Sequence, residues 1–86
     1  MATLFYQDGT HKRVFPNEKE KGFTLEECYK LIGCRVVELL RWGDDDLVCD
    51  EEGMLKEGAR LNMGIWRRYG IRLVGNVLRC EPGEFN

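Results

Sequence analysis

Apolar and polar positions along the chain fall into short runs separated by turn signals. Residues 2–6 (Ala-Thr-Leu-Phe-Tyr) and 12–15 (Lys-Arg-Val-Phe) are β-prone and flank Gln7-Asp8-Gly9-Thr10-His11. Asp-Gly favours a tight turn because both residues tolerate positive φ, so the chain is predicted to open with a hairpin. Pro16-Asn17 stops the second strand, and the charged stretch 18–22 reads as an exposed connector. Thr24-Leu25-Glu26-Glu27 is a capping box, in which the Thr24 hydroxyl accepts from the Glu27 amide while the Glu27 side chain reaches back. A helix starts there. Leu25, Cys28, Tyr29 and Ile32 give it one apolar face, and Gly33 supplies a left-handed stop.

The β-branched run 34–42 predicts a strand, and Gly43-Asp44-Asp45-Asp46 predicts the turn that pairs it with residues 47–50. Glu51-Glu52-Gly53 makes a further turn into an irregular stretch ending at Gly58. Asn62 can cap a short second helix, 63–69, with Ile65, Trp66 and Tyr69 as its apolar surface, Arg67 and Arg68 near its C-terminus and Gly70 as its stop. Gly64 weakens that helix by about 1 kcal/mol relative to alanine. Residues 71–80 predict a long or central strand that places Ile71, Leu73 and Val77 on one face and Val74, Leu78 and Cys80 on the other. Gly75-Asn76 in its middle suggests a bulge. The order ββαββαβ predicts an α+β domain over residues 1–80: a small, mostly antiparallel sheet of four to five strands with two helices on one face. Residues 81–86 read as a tail, disordered unless Phe85 docks. Bare edges on so small a sheet are a liability, so a homo-oligomer is expected.

Composition narrows the function classes. A chain of 86 residues with 43% hydrophobic and 33% charged residues has room for one small core. Its apolar runs fall far short of the roughly 20 residues that span a bilayer. The N-terminus lacks a secretory pattern, which makes a reducing cytoplasm the expected setting. The four cysteines, Cys28, Cys34, Cys49 and Cys80, form no CxxC pair. Reduced, packed thiols are the expectation, with zinc as the alternative.

Serine is absent, which excludes a Ser-His-Asp triad, and the one histidine, His11, lies beside the predicted hairpin turn. There is no Walker loop and no GxGxxG after a strand. Residues 44–52 hold six acids and no base (Asp44, Asp45, Asp46, Asp50, Glu51, Glu52). EF-hand spacing fails because the third ligand position falls on Val48, so these acids read as two polar turns, with a metal-dependent nuclease as the enzymatic alternative. Residues 53–80 hold Lys56, Arg60, Arg67, Arg68, Arg72 and Arg79 against Glu57 alone, six bases to one acid and a local charge of +5. Arginine suits bidentate contact with phosphate, and interleaved Trp66 and Tyr69 can stack a purine. Arg67, Arg68, Arg72, Trp66, Tyr69 and Asn62 are therefore the candidate ligand-binding residues. The competing account is that these arginines neutralise residues 44–52 of the same or a neighbouring subunit. A pI near 5.4 argues against extended nucleic acid. No catalytic residue, metal or cofactor is expected.

The segments Leu25-Glu26-Glu27 through Val36-Val37-Glu38, Asp50-Glu51-Glu52-Gly53-Met54-Leu55-Lys56, Leu61-Asn62 and Val74-Gly75-Asn76-Val77-Leu78 form a pattern spanning roughly residues 23–80. It resembles domain of unknown function 3846, a family of small proteins of phages and bacterial mobile elements. The resemblance implies a mobile-element origin and a cytoplasmic life in an infected host, and it carries no catalytic signature. Connector 16–22 and the tail read as particular to this chain. A phage-type protein without catalytic residues is expected to bind rather than react. The first expectation is an oligomeric sponge that sequesters a nucleotide-derived immune signal at a subunit boundary. The alternative is an interaction module that inhibits a host enzyme through its sheet edge or through segment 44–52.

Overall fold

The computed structural model describes residues 2–84. Five strands, β1 (Ala2–Phe5), β2 (His11–Val14), β3 (Val37–Trp42), β4 (Asp45–Asp50) and β5 (Val77–Cys80), form one antiparallel sheet in the order β2-β1-β5-β4-β3. Helix α1 (Leu25–Ile32) follows β2, and helix α2 (Met63–Tyr69) precedes β5. The order is the predicted ββαββαβ, and the class is α+β.

Local chemistry accounts for the helix ends. The Thr24 hydroxyl accepts from the Glu27 amide at 3.2 Å, and a Glu27 carboxylate oxygen accepts from the Thr24 amide at 3.2 Å. The second Glu27 oxygen accepts from the Asn17 amide at 2.8 Å, which ties connector 16–22 to the helix start. That amide, ahead of the Thr24 bonds, holds the Glu27 carboxyl below its ordinary value. In the predicted apolar face, Cys28 and Ile32 are buried but Leu25 lies exposed.

The helices cover opposite faces of the sheet, which corrects the expectation of one face. Helix α1 shares a core with Ala2, Leu4, Val48, Leu78 and Cys80, whereas Ile65 of α2 packs with Phe5, Leu47, Cys49 and Val77. The cause is written in the central strands, where Leu4-Phe5, Leu47-Val48-Cys49 and Val77-Leu78 are apolar at consecutive positions. Neighbouring side chains on a strand point to opposite faces, so both faces need a cover. Gly64 explains itself in this packing: a Cβ there would stand 2.9 Å from the Phe5 ring, so the glycine lets α2 sit down on β1.

Three boundaries differ from the sequence expectation. Asp45 and Asp46 belong to β4 rather than to the turn, since Trp42 already pairs with Asp45. Strand β3 begins at Val37, later than residue 34. The predicted strand 71–80 is central, but only Val77–Cys80 lies in the sheet. Gly75 adopts φ +83°, a left-handed conformation that turns the chain out of the sheet plane. Upstream of it, residues 73–75 pair off the sheet with residues 60–62, through Asn62 N–H to Leu73 O (2.7 Å) and Gly75 N–H to Arg60 O (2.9 Å). Part of the tail is held: the Phe23 amide donates to the Glu84 carbonyl at 2.6 Å. Phe85, and any docking by it, lies outside the described residues.

Candidate functional site

The acidic run is distributed over the fold by its strand alternation. On the α2 face, the Tyr69 hydroxyl donates to Asp45 Oδ2 at 2.8 Å and an Arg79 guanidinium nitrogen to Asp45 Oδ1 at 2.9 Å. Burial pushes the Asp45 pKa upward, but the Tyr69 and Arg79 bonds outweigh it and hold this carboxyl below its ordinary value. The same contact, after burial, raises the Tyr69 phenol. On the α1 face, Arg41 Nε meets Asp46 Oδ1 at 3.0 Å. At the end of β4, Lys56 Nζ lies 2.6 Å from Asp50 Oδ2 and donates to the Gly33 carbonyl at 2.9 Å, so one ammonium neutralises Asp50 and caps the negative end of α1. Asp44 and Glu51 remain exposed at the surface. Among the described residues, no group of three or more His, Cys, Asp or Glu side chains could hold a metal ion.

The bases that take these acids are Arg79, Arg41 and Lys56, not the arginines singled out for ligand contact. Arg67, Arg68 and Arg72 are exposed, and among the described residues none forms an ion pair with a carboxylate. The Arg72 guanidinium stands 5.5 Å from the Trp66 ring centroid and that of Arg68 5.8 Å from the Tyr69 ring. Five of the six candidate residues therefore lie on α2 or just beyond it, as two cation–aromatic pairs, Arg72–Trp66 and Arg68–Tyr69, with Arg67 exposed on the same helix. A cation held over an aromatic face is a geometry that also accepts a planar base and a phosphate.

Asn62 does not belong to that set, which corrects its assignment as a ligand-contacting residue. It is fully buried, its Nδ2 donates to the carbonyls of Phe5 (2.9 Å) and Gly75 (2.8 Å), and its Oδ1 accepts from the Ile65 amide (3.1 Å). It caps α2 and fastens that helix to the ends of β1 and β5. The capping role was legible in the sequence, and the two long-range bonds were not.

Beside Arg72 lies a hollow of about 240 Å³ whose lining also includes Glu38, Cys49, Asp50 and Glu51. A more polar hollow of about 280 Å³ opens elsewhere, bounded by Gln7, Lys56, Asn76 and the end of α1. Sequence reasoning missed it; its signals were Gly53, Gly58 and Gly75-Asn76, which bring four chain segments together. Its polar side chains already serve the fold: Asn76 Oδ1 accepts from the Gln7 amide at 2.9 Å, and Gln7 Oε1 accepts from the Arg60 amide at 3.2 Å.

No activated nucleophile is found among the groups considered in the sequence. All four cysteines are free. Burial pushes the thiols of Cys28 and Cys80 up to about 12 and that of Cys49 to about 11, and it raises Cys34 as well. Thiols in that range stay protonated at neutral pH and are poor nucleophiles. His11 sits at the start of β2 with its ring 5.7 Å from Phe5. No described helix is long and apolar enough to cross a membrane.

Neither a curated protein nor a solved structure matches this chain. A family match does exist, and it takes in connector 16–22 and the tail, which therefore are not particular to this chain. With a match over residues 4–86, the chain belongs to the family described as domain of unknown function (DUF3846).

Proposed function

We propose that the chain is a non-enzymatic binding protein of phage type, an oligomeric sponge that sequesters a phosphorylated, nucleotide-derived defence signal in the host cytoplasm. The observation that carries this is the division of labour among the bases. Arg79, Arg41 and Lys56 engage Asp45, Asp46 and Asp50, while Arg67, Arg68 and Arg72 are exposed and form no ion pair among the described residues, Arg68 acting on Asp45 only at longer range, and two of them stand over aromatic rings. Exposed guanidinium groups beside aromatic faces are suited to an anion that carries a planar base. In this role Arg67, Arg68 and Arg72 hold phosphate, and Trp66 or Tyr69 carries the base.

Thermal denaturation against a panel of cyclic nucleotides and ADP-ribose derivatives tests the proposal. A true ligand at 100 times its Kd raises Tm by about 10 °C or more for a domain of this size, and the rise disappears in the double variant Arg67→Ala/Arg72→Ala. No shift across the panel overturns it. The other function considered, direct inhibition of a host enzyme, predicts a co-purifying protein that is lost in Asp44→Lys/Glu51→Lys. Asp45 is a poor probe of that surface, because its carboxylate is engaged inside the fold.

A further inference from the structure

Strand β3 ends the sheet with its outer side unpaired among the described residues. The Val36 carbonyl accepts from the Glu51 amide at 3.1 Å, and this pair continues the β3–β4 register. Hydrogen-bonded pairs alternate along an antiparallel ladder. Glu38, Leu40 and Trp42 therefore turn their backbone groups toward β4, and Val37, Leu39 and Arg41 turn theirs outward. The opposite edge, β2, carries exposed Lys12 and Arg13, charges that discourage strand addition. Strand β3 also carries exposed charges, Glu38 and Arg41, but they alternate with apolar groups: Val36 just before it and Leu39 and Trp42 within it are 40%, 44% and 46% exposed.

We infer that β3 pairs antiparallel with β3 of a second copy of this chain, about a two-fold axis through Leu39. In a continuous sheet, directly opposed side chains share a face, so the axis must pass through a residue and not between two. An axis at Glu38 sets Glu38 against Glu38 and Arg35 against Arg41, like charges directly opposed. An axis at Leu40 sets Leu39 against Arg41 and Trp42 against Glu38, which leaves the exposed apolar groups unmatched. An axis at Leu39 sets Leu39 against Leu39 and Val36 against Trp42, opposes no like charges directly, and aligns the outward backbone groups of Val37, Leu39 and Arg41. Two five-stranded sheets then become one of ten strands.

The pairing places both α2 helices on the same side of the joined sheet. Arg72 lines a hollow with Glu38, one residue from the axis, so the Arg72–Trp66 pairs of the two copies flank the two-fold. The hollow beside Arg72 of one chain then faces its counterpart across the two-fold, and this last step rests on the proposed ligand role.

Native mass spectrometry and sedimentation of the full chain at tens of micromolar test the pairing. The expected mass is twice the 10.0 kDa of one chain. Leu39→Lys sets two ammonium groups face to face and raises the dimer dissociation constant at least about tenfold, with an unchanged circular dichroism spectrum. Oxidised Leu39→Cys gives a covalent dimer, because the residue meets itself, whereas Glu38→Cys does not. A monomeric wild type, a folded Leu39→Lys variant that remains dimeric, or faster cross-linking through Glu38→Cys overturns the inference. Nucleotide titration separates the two proposals. A dimer that binds none of the panel keeps the pairing and removes the ligand role, and a monomer that binds does the reverse.

Discussion

The two faces of the sheet are held by different chemistry. Under α1, Phe23, Leu4, Val48 and Leu78 form an apolar layer with the buried thiols of Cys28 and Cys80, and its polar bonds sit toward the rim, in the Thr24–Glu27 cap and in the pair of buried Asp46 with exposed Arg41. Under α2 the apolar layer is thinner, and polar groups do more of the fastening: buried Asn62 binds two strand ends, and half-buried Asp45 holds Tyr69 and Arg79 together. Apolar packing tolerates small shifts, whereas a buried polar group that loses its partner keeps its full desolvation cost. The α2 face is thus the more specifically built of the two, and it presents the arginine surface.

The largest test of this contrast is Asn62→Ala. It removes a helix cap and strands the Phe5 and Gly75 carbonyls, at an expected cost of about 3–5 kcal/mol in urea denaturation. A loss below about 1 kcal/mol would break the contrast. Gly64→Ala should come next, at about 2 kcal/mol from overpacking against the Phe5 ring, with partial recovery in the double variant Phe5→Leu/Gly64→Ala. Tyr69→Phe removes one bond to a carboxylate and should cost about 1.5 kcal/mol, and hydrogen exchange should rise in α2 while α1 stays protected.

The smallest effect concerns pH and the α1 rim. Folding lowers the pKa of Glu27 and of Asp45, so each contributes stability above its unfolded value and loses it as pH falls through the folded value. Stability should therefore decline below about pH 4.5 and be flat above about pH 6 as far as these two groups are concerned. Glu27→Gln keeps most of the capping geometry, costs about 0.5 kcal/mol at pH 7 and removes part of the acid slope. If Asp45→Asn leaves that slope unchanged, the Asp45 contacts do not contribute as described.

The strongly local features were legible in the residues. Thr24 with Glu27, Asn62 at a helix start, and Gly33 and Gly70 as stops act within one turn of chain, and they appear where the residues imply. The failures share a cause. Residues 71–74 have strand-like alternation, but Gly75 and the bridge from Leu61 to Val74 take them out of the sheet. Gly64 looked like a defect until Phe5, remote in sequence, occupied the space a side chain would need. Asn62 looked available to a ligand because its two carbonyl partners come from distant segments.

Alternation along a strand tells which side chains share a face, and the caps tell where helices begin, because neighbours along the chain carry those constraints. Which helix covers which face, and which bases meet the acids of residues 44–52, depends on competition through space among groups far apart in sequence. Strand register moved Asp45 against Tyr69 and Arg79, and Asp46 against Arg41. That register left Arg67 and Arg72 facing solvent, an outcome a charge count over residues 53–80 could not assign to individual arginines.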